Sequence, residues 1–393
     1  MTRGLSRTGR KAAIVGGVLA AGALALAGGV GMTAAKTPNV AKASVTGPPG
    51  GKLGFVVTYF YFATYNGPGA CPKGMQPLQS SADFLKTVPP EERTRLLRQE
   101  NARELSQKMA MARSPDGKVN VCKTPWAAPP PEMYTLNGDR NDGLDLDGSK
   151  DEKHADAYTC PHKQYVGEDG QAGVDNAMGR IYACITGFRE HGTVTPYFTT
   201  QMRAGMWSML IELSGVDDMR NDPDVTVDFY AGEDTMVKDP GGKVLAGASL
   251  APKTDPKFHR QVKASIRNGV LETGTMNDLV IPDIMLSNRL PPWVIQRPKL
   301  KLTLASDGTA KGFLGGYMPD TMYNKPGGEA AAEGFVGMPC NFMYHAVKAY
   351  ADGARDPKTG ECHALSTAFR IEAIPAFIVH PDKAPVRTFA QAR

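Results

Sequence analysis

The sequence predicts a mainly β protein: an antiparallel sandwich or jelly-roll-like body with a few peripheral helices and long loops. Three observations carry the prediction. Gly (43) and Pro (30) make up nearly a fifth of the 393 residues, against a usual ~12%, so many short elements must be joined by turns. Apolar and polar residues alternate with a period of two in Val225–Phe229, Leu300–Leu304 and Arg370–Ile374, as half-buried strands do. Asn268-Gly269 sits between two such runs and is the strongest short-range hairpin signal.

Taken in order, Met1–Lys11 is a positive n-region and Ala12–Ala35 an uncharged run of small and apolar residues. Thr33-Ala34-Ala35 and Ala41-Lys42-Ala43 are cleavage candidates. Residues 1–43 therefore read as an export signal, or as an N-terminal anchor through residues 12–35 if uncleaved. A periplasmic or secreted location follows, with membrane contact only through that segment. All six basic residues of the leader are unopposed by acids, and the rest of the chain carries 39 bases against 40 acids. The net charge of +5 is thus a property of the leader, and no nucleic-acid footprint is predicted.

Residues 44–135 read as a strand, loop and helix region packed on the main body. Phe55–Phe62 is the first strand, by its β-branched and aromatic content. Pro90 opens a helix with Glu91 and Glu92 in its first turn and Leu96, Leu97, Leu105 and Met109 as a thin apolar stripe. Four prolines in 123–132 form a connector. Residues 136–393 read as the main β-rich domain, with strands at Trp207–Leu213, Val225–Phe229, Gln261–Ile266, Val270–Thr275, Leu300–Leu304 and Lys311–Tyr317. A helix spans Cys340–Asp352. Pro375 marks Arg370–Ile374 as an edge or strand-end piece.

The six cysteines include no C-x-x-C, and an even count in an exported chain indicates disulfides. Sequence neighbours pair as Cys71–Cys122, Cys160–Cys184 and Cys340–Cys362.

The chemistry concentrates in 137–176. Asp139, Asn141, Asp145, Asp147 and Asp151 crowd a stretch broken by Gly138, Gly143 and Gly148, and Asp175-Asn176 follows. Short carboxylates and amides on a glycine-hinged backbone suit Ca²⁺, which takes six to eight oxygens in loose geometry. The EF-hand pattern fails, because its first and last positions would be Gly143 and His154. These seven residues are the predicted calcium ligands. Asx-turns in a solvated loop are the competing explanation.

A second cluster, Asp217, Asp218, Asn221, Asp222 and Asp224, reads as an interstrand loop. Cys160-Pro161-His162 beside His154 reads as a disulfide next to exposed histidines, with a transition-metal set as the sharper alternative. There is no G-x-S-x-G, no P-loop and no G-x-G-x-x-G to indicate a serine hydrolase or nucleotide use. The aromatic run Tyr59–Tyr65 could line a carbohydrate groove. The function read from all this is an exported, non-catalytic, calcium-stabilised binding or accessory protein of the cell envelope, with an envelope protein or a glycan as partner. The alternatives are a secreted polysaccharide hydrolase using Asp217, Asp218 or Asp145, and a periplasmic companion of a redox enzyme.

Overall fold

A computed structural model describes residues 47–380 apart from 77–84, 86–87, 111–123, 128, 190–191, 193, 283–291 and 323–341. The leader, the proline connector's start, Cys122, Cys340 and the basic tail lie outside the described residues. The described residues form one compact unit.

The described strands are β1 (Lys52–Phe62), β2 (Tyr165–Val166), β3 (Ala172–Val174), β4 (Met209–Ser214), β5 (Asn221–Ala231), β6 (Ala248–Leu250) and β7 (His259–Arg267), followed by β8 (Val270–Thr273), β9 (Leu279–Ile281), β10 (Trp293–Leu304), β11 (Ala310–Pro319), β12 (Gly353–Arg355) and β13 (Cys362–Ile378). The described helices are α1 (Pro90–Leu96), α2 (Ala102–Ala110), α3 (Ala177–Tyr182), α4 (Thr195–Arg203) and α5 (Phe342–Tyr350).

The predicted sandwich or jelly roll is not what forms. The main sheet runs β1-β4-β5-β7-β8-β10-β11-β13, and β13 pairs back onto β1, with Phe55 opposite Pro375 and Phe62 opposite Phe369. All eight of these neighbouring pairs are antiparallel, so the body is a closed eight-stranded barrel. Closure satisfies the backbone groups that an open edge would leave exposed. Extra strands lean on it: β6 runs parallel to the end of β13, β9 pairs with β10 and β12 with β13. Alternation marks stretches that bury one face, such as Leu300–Leu304 and Arg370–Ile374, whereas β4, Phe313–Met318 and Ala364–Phe369 are buried on both faces. It carries no information on whether the first and last strands meet.

Local chemistry explains the parts. Asn268 (φ 52°) and Gly269 (φ 81°) both adopt left-handed backbone, as the expected β7–β8 hairpin requires. β13 runs straight through Pro375 instead of ending at an edge, because its pairing with β11 stops at Ala310↔Ala373, leaving no ladder bond on that side for the proline to break. The single helix expected from Pro90 is split into α1 and α2 by Arg98, whose backbone is extended (φ −70°, ψ 141°).

Inside the barrel, Phe60 stacks on Phe369 (centroids 4.5 Å apart), Phe62 lies 5.0 Å from Phe369, and Trp207 meets Phe60 edge-on. Offset and edge-to-face contacts of this kind add to area burial. On the outer wall a second, smaller cluster joins Leu144 and Leu146 to Phe313, Tyr317, Ala364 and Ala368. The acidic stretch is therefore plastered on β11 and β13: its leucines, alternating with Asp145 and Asp147, cover the wall.

Two disulfides fasten this layer: Cys71–Cys184 and Cys160–Cys362. They replace the expected Cys71–Cys122 and Cys160–Cys184 pairs, and Cys362 is thereby taken from Cys340. The barrel, not the chain order, decides which cysteines meet. The disulfides fit an oxidising environment outside the cytosol. Among the described residues no helix is long and apolar enough to cross a membrane.

Candidate metal centre

The seven predicted calcium ligands do not converge on one point. Asp139 is exposed and pairs with Lys163 at 3.1 Å, and Asp151 caps the Lys153 amide at 3.0 Å on the surface. Asp145 Oδ1 accepts from the Gly148 amide at 2.6 Å. Asn141 and Asn176 are buried braces. Asn141 Nδ2 donates to the Asn176 carbonyl (2.9 Å). Asn176 caps α3 by accepting from the Gly179 amide (2.7 Å) and donates to the carbonyls of Ala63 (2.9 Å) and Asp142 (2.6 Å). Every side-chain atom of these two amides is committed to holding the layer together, which is capping and turn chemistry.

Asp147 and Asp175 do come together, and they do so around a residue outside the predicted set, His162. One donor atom from each lies within 4.8 Å of the others. The three side chains are held in the same manner. Asp175 Oδ2 accepts from the amides of Leu146 (2.6 Å) and Asp147 (3.1 Å), which leaves Oδ1 facing the His162 ring at 2.8 Å. His162 Nδ1 lies 2.7 Å from the Cys160 carbonyl; a carbonyl only accepts, so Nδ1 carries a proton and Nε2 is the inward atom. Asp147 Oδ1 accepts from the Ser149 amide (2.7 Å), and its Oδ2 turns inward, 3.9 Å from His162 Nε2.

Backbone geometry makes the convergence possible. The Asp175 amide donates to the Leu144 carbonyl at 2.8 Å, so the two halves of the acidic region are joined by a bridge, not by the crosslink expected at Cys184. Gly173, with φ at 88°, passes so near Ser149 that a Cβ there would sit 2.6 Å from the Ser149 carbonyl oxygen; only glycine fits.

The surroundings are short of partners. The Asp147 side chain is 0% exposed and that of His162 9%. Asp147 Oδ2, Gln164 Oε1 and Tyr317 Oη are buried without a hydrogen-bond partner. Beside the ring, Asp352 is fully buried and accepts from the Ser366 amide at 2.6 Å and from the Ser366 hydroxyl, which in turn accepts from the Ala177 amide at 2.8 Å. A cavity of about 150 Å³ lined by His162, Tyr165, Arg180, Tyr350 and Asp352 opens next to the site.

Burial opposes a charge on His162, but the hydrogen bond to Asp175, the nearby Asp352 and the Cys160 carbonyl outweigh it and push the imidazole up to about 9. Burial pushes Asp352 up to about 6 against the pull of His162 and Ser366. Burial, then the adjacent Asp175, also raises Asp147. Three carboxylates thus face one imidazole in a dry setting, where unlike charges are needed most.

His162 was legible only as part of a Cys160–His154 set. The disulfide removes Cys160 as a ligand, and the ring is buried where the sequence reading put an exposed histidine. The second acidic cluster is a loop brace: Asp222 accepts from the amides of Asp217 (2.7 Å) and Asp224 (3.0 Å).

A separate cleft of about 290 Å³ is lined by Tyr59, Tyr65, Arg140, Asp142, Glu168 and Arg370 among others. Arg370 binds Asp142 and Glu168, each at 3.0 Å, and lies over the Phe313 ring; Arg140 lies over Tyr65. No family model, no curated protein and no solved structure matches the chain.

Proposed function

We propose that this is an exported, non-catalytic binding protein of the cell envelope, stabilised by a divalent cation in 137–176, that holds a neutral glycan in the Tyr59–Arg370 cleft. The observation that carries the reading is the lining of that cleft: half-buried tyrosine rings beside two arginines and two carboxylates whose charges cancel. Rings offer faces to a sugar's C–H surface, and ion-paired side chains offer fixed donors and acceptors to its hydroxyls. A net-neutral lining gives no preference for an ionic ligand. The oxidising environment indicated by the disulfides suits a periplasmic or secreted site of action.

Titration of soluble envelope polysaccharides into the purified protein tests this, with Tyr65→Ala as the control that removes an aromatic wall without touching a barrel strand. Saturable binding lost in the variant supports the reading; equal binding by both proteins, or none by either, ends it. The hydrolase alternative is favoured by one observation. Asp142, raised by burial despite Arg370, shares that arginine with Glu168, which is the type of carboxylate pair glycoside cleavage uses. New reducing ends appearing in the same titration, and lost in Asp142→Asn, would replace binding with hydrolysis.

A further inference from the structure

We propose that Asp147, His162 and Asp175 form a site for one Zn²⁺-class transition-metal ion, and that this ion, not Ca²⁺, ties the two halves of the acidic layer to each other. The inference rests on the cation part of the reading above and on none of the cleft residues.

Four features support it. The first is aim. Each of the three side chains has one polar atom pinned by backbone, at Ser149, Cys160 and Leu146/Asp147, and the other turned to a common point. A histidine that donates its second ring N–H to a backbone carbonyl is the usual way a metal-binding imidazole is oriented. The second is the orphan. Asp147 Oδ2 is wholly buried and has no hydrogen-bond partner. A carboxylate oxygen in that state is costly unless a cation meets it.

The third is donor type. Two carboxylates and an imidazole nitrogen are a borderline set, suited to zinc and its neighbours; calcium wants oxygens alone, and more of them. The oxygen ligands calcium would need are spent elsewhere: Asn141 and Asn176 on backbone, Asp139 and Asp151 at the surface. The fourth is Gln164. Its amide nitrogen is placed 2.9 Å from His162 Nε2 while its Oε1 is buried without a partner. Amide oxygen and nitrogen are interchangeable by a half-turn of the group. Turned over, Gln164 presents Oε1 to the same point as a fourth protein donor, completing the tetrahedral number zinc prefers. The spacing needs little change. Two ligands of a tetrahedral zinc lie roughly 3.3 Å apart, between the 2.8 Å and 3.9 Å that separate His162 Nε2 from Asp175 Oδ1 and Asp147 Oδ2.

The test is calorimetric titration of EDTA-stripped protein with Zn²⁺ and, separately, Ca²⁺, for the native chain and Asp147→Asn. This variant keeps the Oδ1 bond to Ser149 and replaces only the partnerless oxygen, so its metal-free unfolding midpoint should match the native one. The expected result is one Zn²⁺ per chain, weakened 100-fold or more in Asp147→Asn, with Ca²⁺ failing to compete. The ¹⁵N resonance of His162 Nε2 in the native protein should shift on Zn²⁺ addition, a readout that holds even if the variant does not fold. A stripped protein that shows no stoichiometric binding of either ion overturns both this inference and the cation-stabilised reading. Stoichiometric Ca²⁺ in place of Zn²⁺ overturns only this inference. Undiminished Zn²⁺ binding by Asp147→Asn, or an unmoved His162 resonance, overturns the ligand assignment.

Discussion

Raising the pH from 6.5 to 9 in the presence of EDTA should destabilise the protein through His162. The imidazole titrates near 6.5 when the chain is unfolded and is pushed up to about 9 in the native state. The native state therefore binds a proton that the unfolded state releases across this window. Stability from the pair is complete below 6.5 and is lost progressively as pH rises to 9. At about 1.4 kcal/mol per pH decade the loss amounts to roughly 3 kcal/mol. Solvent screening takes little from this figure, because the ring is 9% exposed and the Asp175 side chain 0%. The groups facing the ring are Asp175, Asp147 and Asp352. At lower pH the picture is mixed: burial raises Asp352 and Asp147, whereas backbone amides outweigh burial and lower Asp222. The window above 6.5 is the clean one. Urea unfolding at half-unit pH steps reads it directly, with His162→Gln as the reference that should flatten the slope. A native curve that is flat or rising from 6.5 to 9, or a variant with the same fall, refutes the reasoning.

Other perturbations have equally definite outcomes. Asn176→Ala strands the Ala63 and Asp142 carbonyls and the Gly179 amide in the interior; at ~1–3 kcal/mol for each stranded group, chemical denaturation should show a loss of at least ~3 kcal/mol. Phe369→Ala removes the ring against which Phe60 and Phe62 pack and should cost about 3–5 kcal/mol, read as a lower thermal midpoint. Replacing both Cys160 and Cys362 with Ser opens a loop of 202 residues; loop-closure entropy sets the loss at roughly 5 kcal/mol at most, and the same variant should bind Zn²⁺ more weakly, because the Cys160 carbonyl orients His162. Gly173→Ala, which forces a Cβ against the Ser149 carbonyl, should lower stability and metal affinity together in the same two assays.

How much of this was legible in the sequence depended on distance along the chain. The β7–β8 hairpin needs only Asn268-Gly269 and its flanks, and β10–β11 needs only Leu300, Leu302, Leu304 and the turn after them. Barrel closure depends on β1 meeting β13, a contact between residues such as Thr58 and Glu372, 314 apart; no local pattern encodes it. The cysteines were misread for the same reason: neighbours in sequence were paired, whereas the barrel brings Cys160 to the start of β13. At the site, Asp147 and Asp175 were visible because aspartates in a glycine-rich stretch stand out by composition. Asn141 and Asn176 stood out equally, yet Asn176 is a helix cap and Asn141 braces its carbonyl, since amides satisfy backbone at least as readily as ions. His162 was visible only within the Cys160–His154 set, because its placement beside Asp147 and Asp175 depends on the Cys160 carbonyl and on a fold that buries the ring.

The seam between β1 and β13 also sets the order of assembly. The strand made first can pair with β4 over Lys52–Val56, but its aromatic end Tyr59–Phe62 has to wait for β13, the strand made last. Cys71 and Cys184 can be oxidised long before Cys160 finds Cys362, which makes the second disulfide a mark of finished closure. During that interval Tyr59–Phe62 is the segment most in need of a holdase, and chains stopped short of Cys362 should be caught by one.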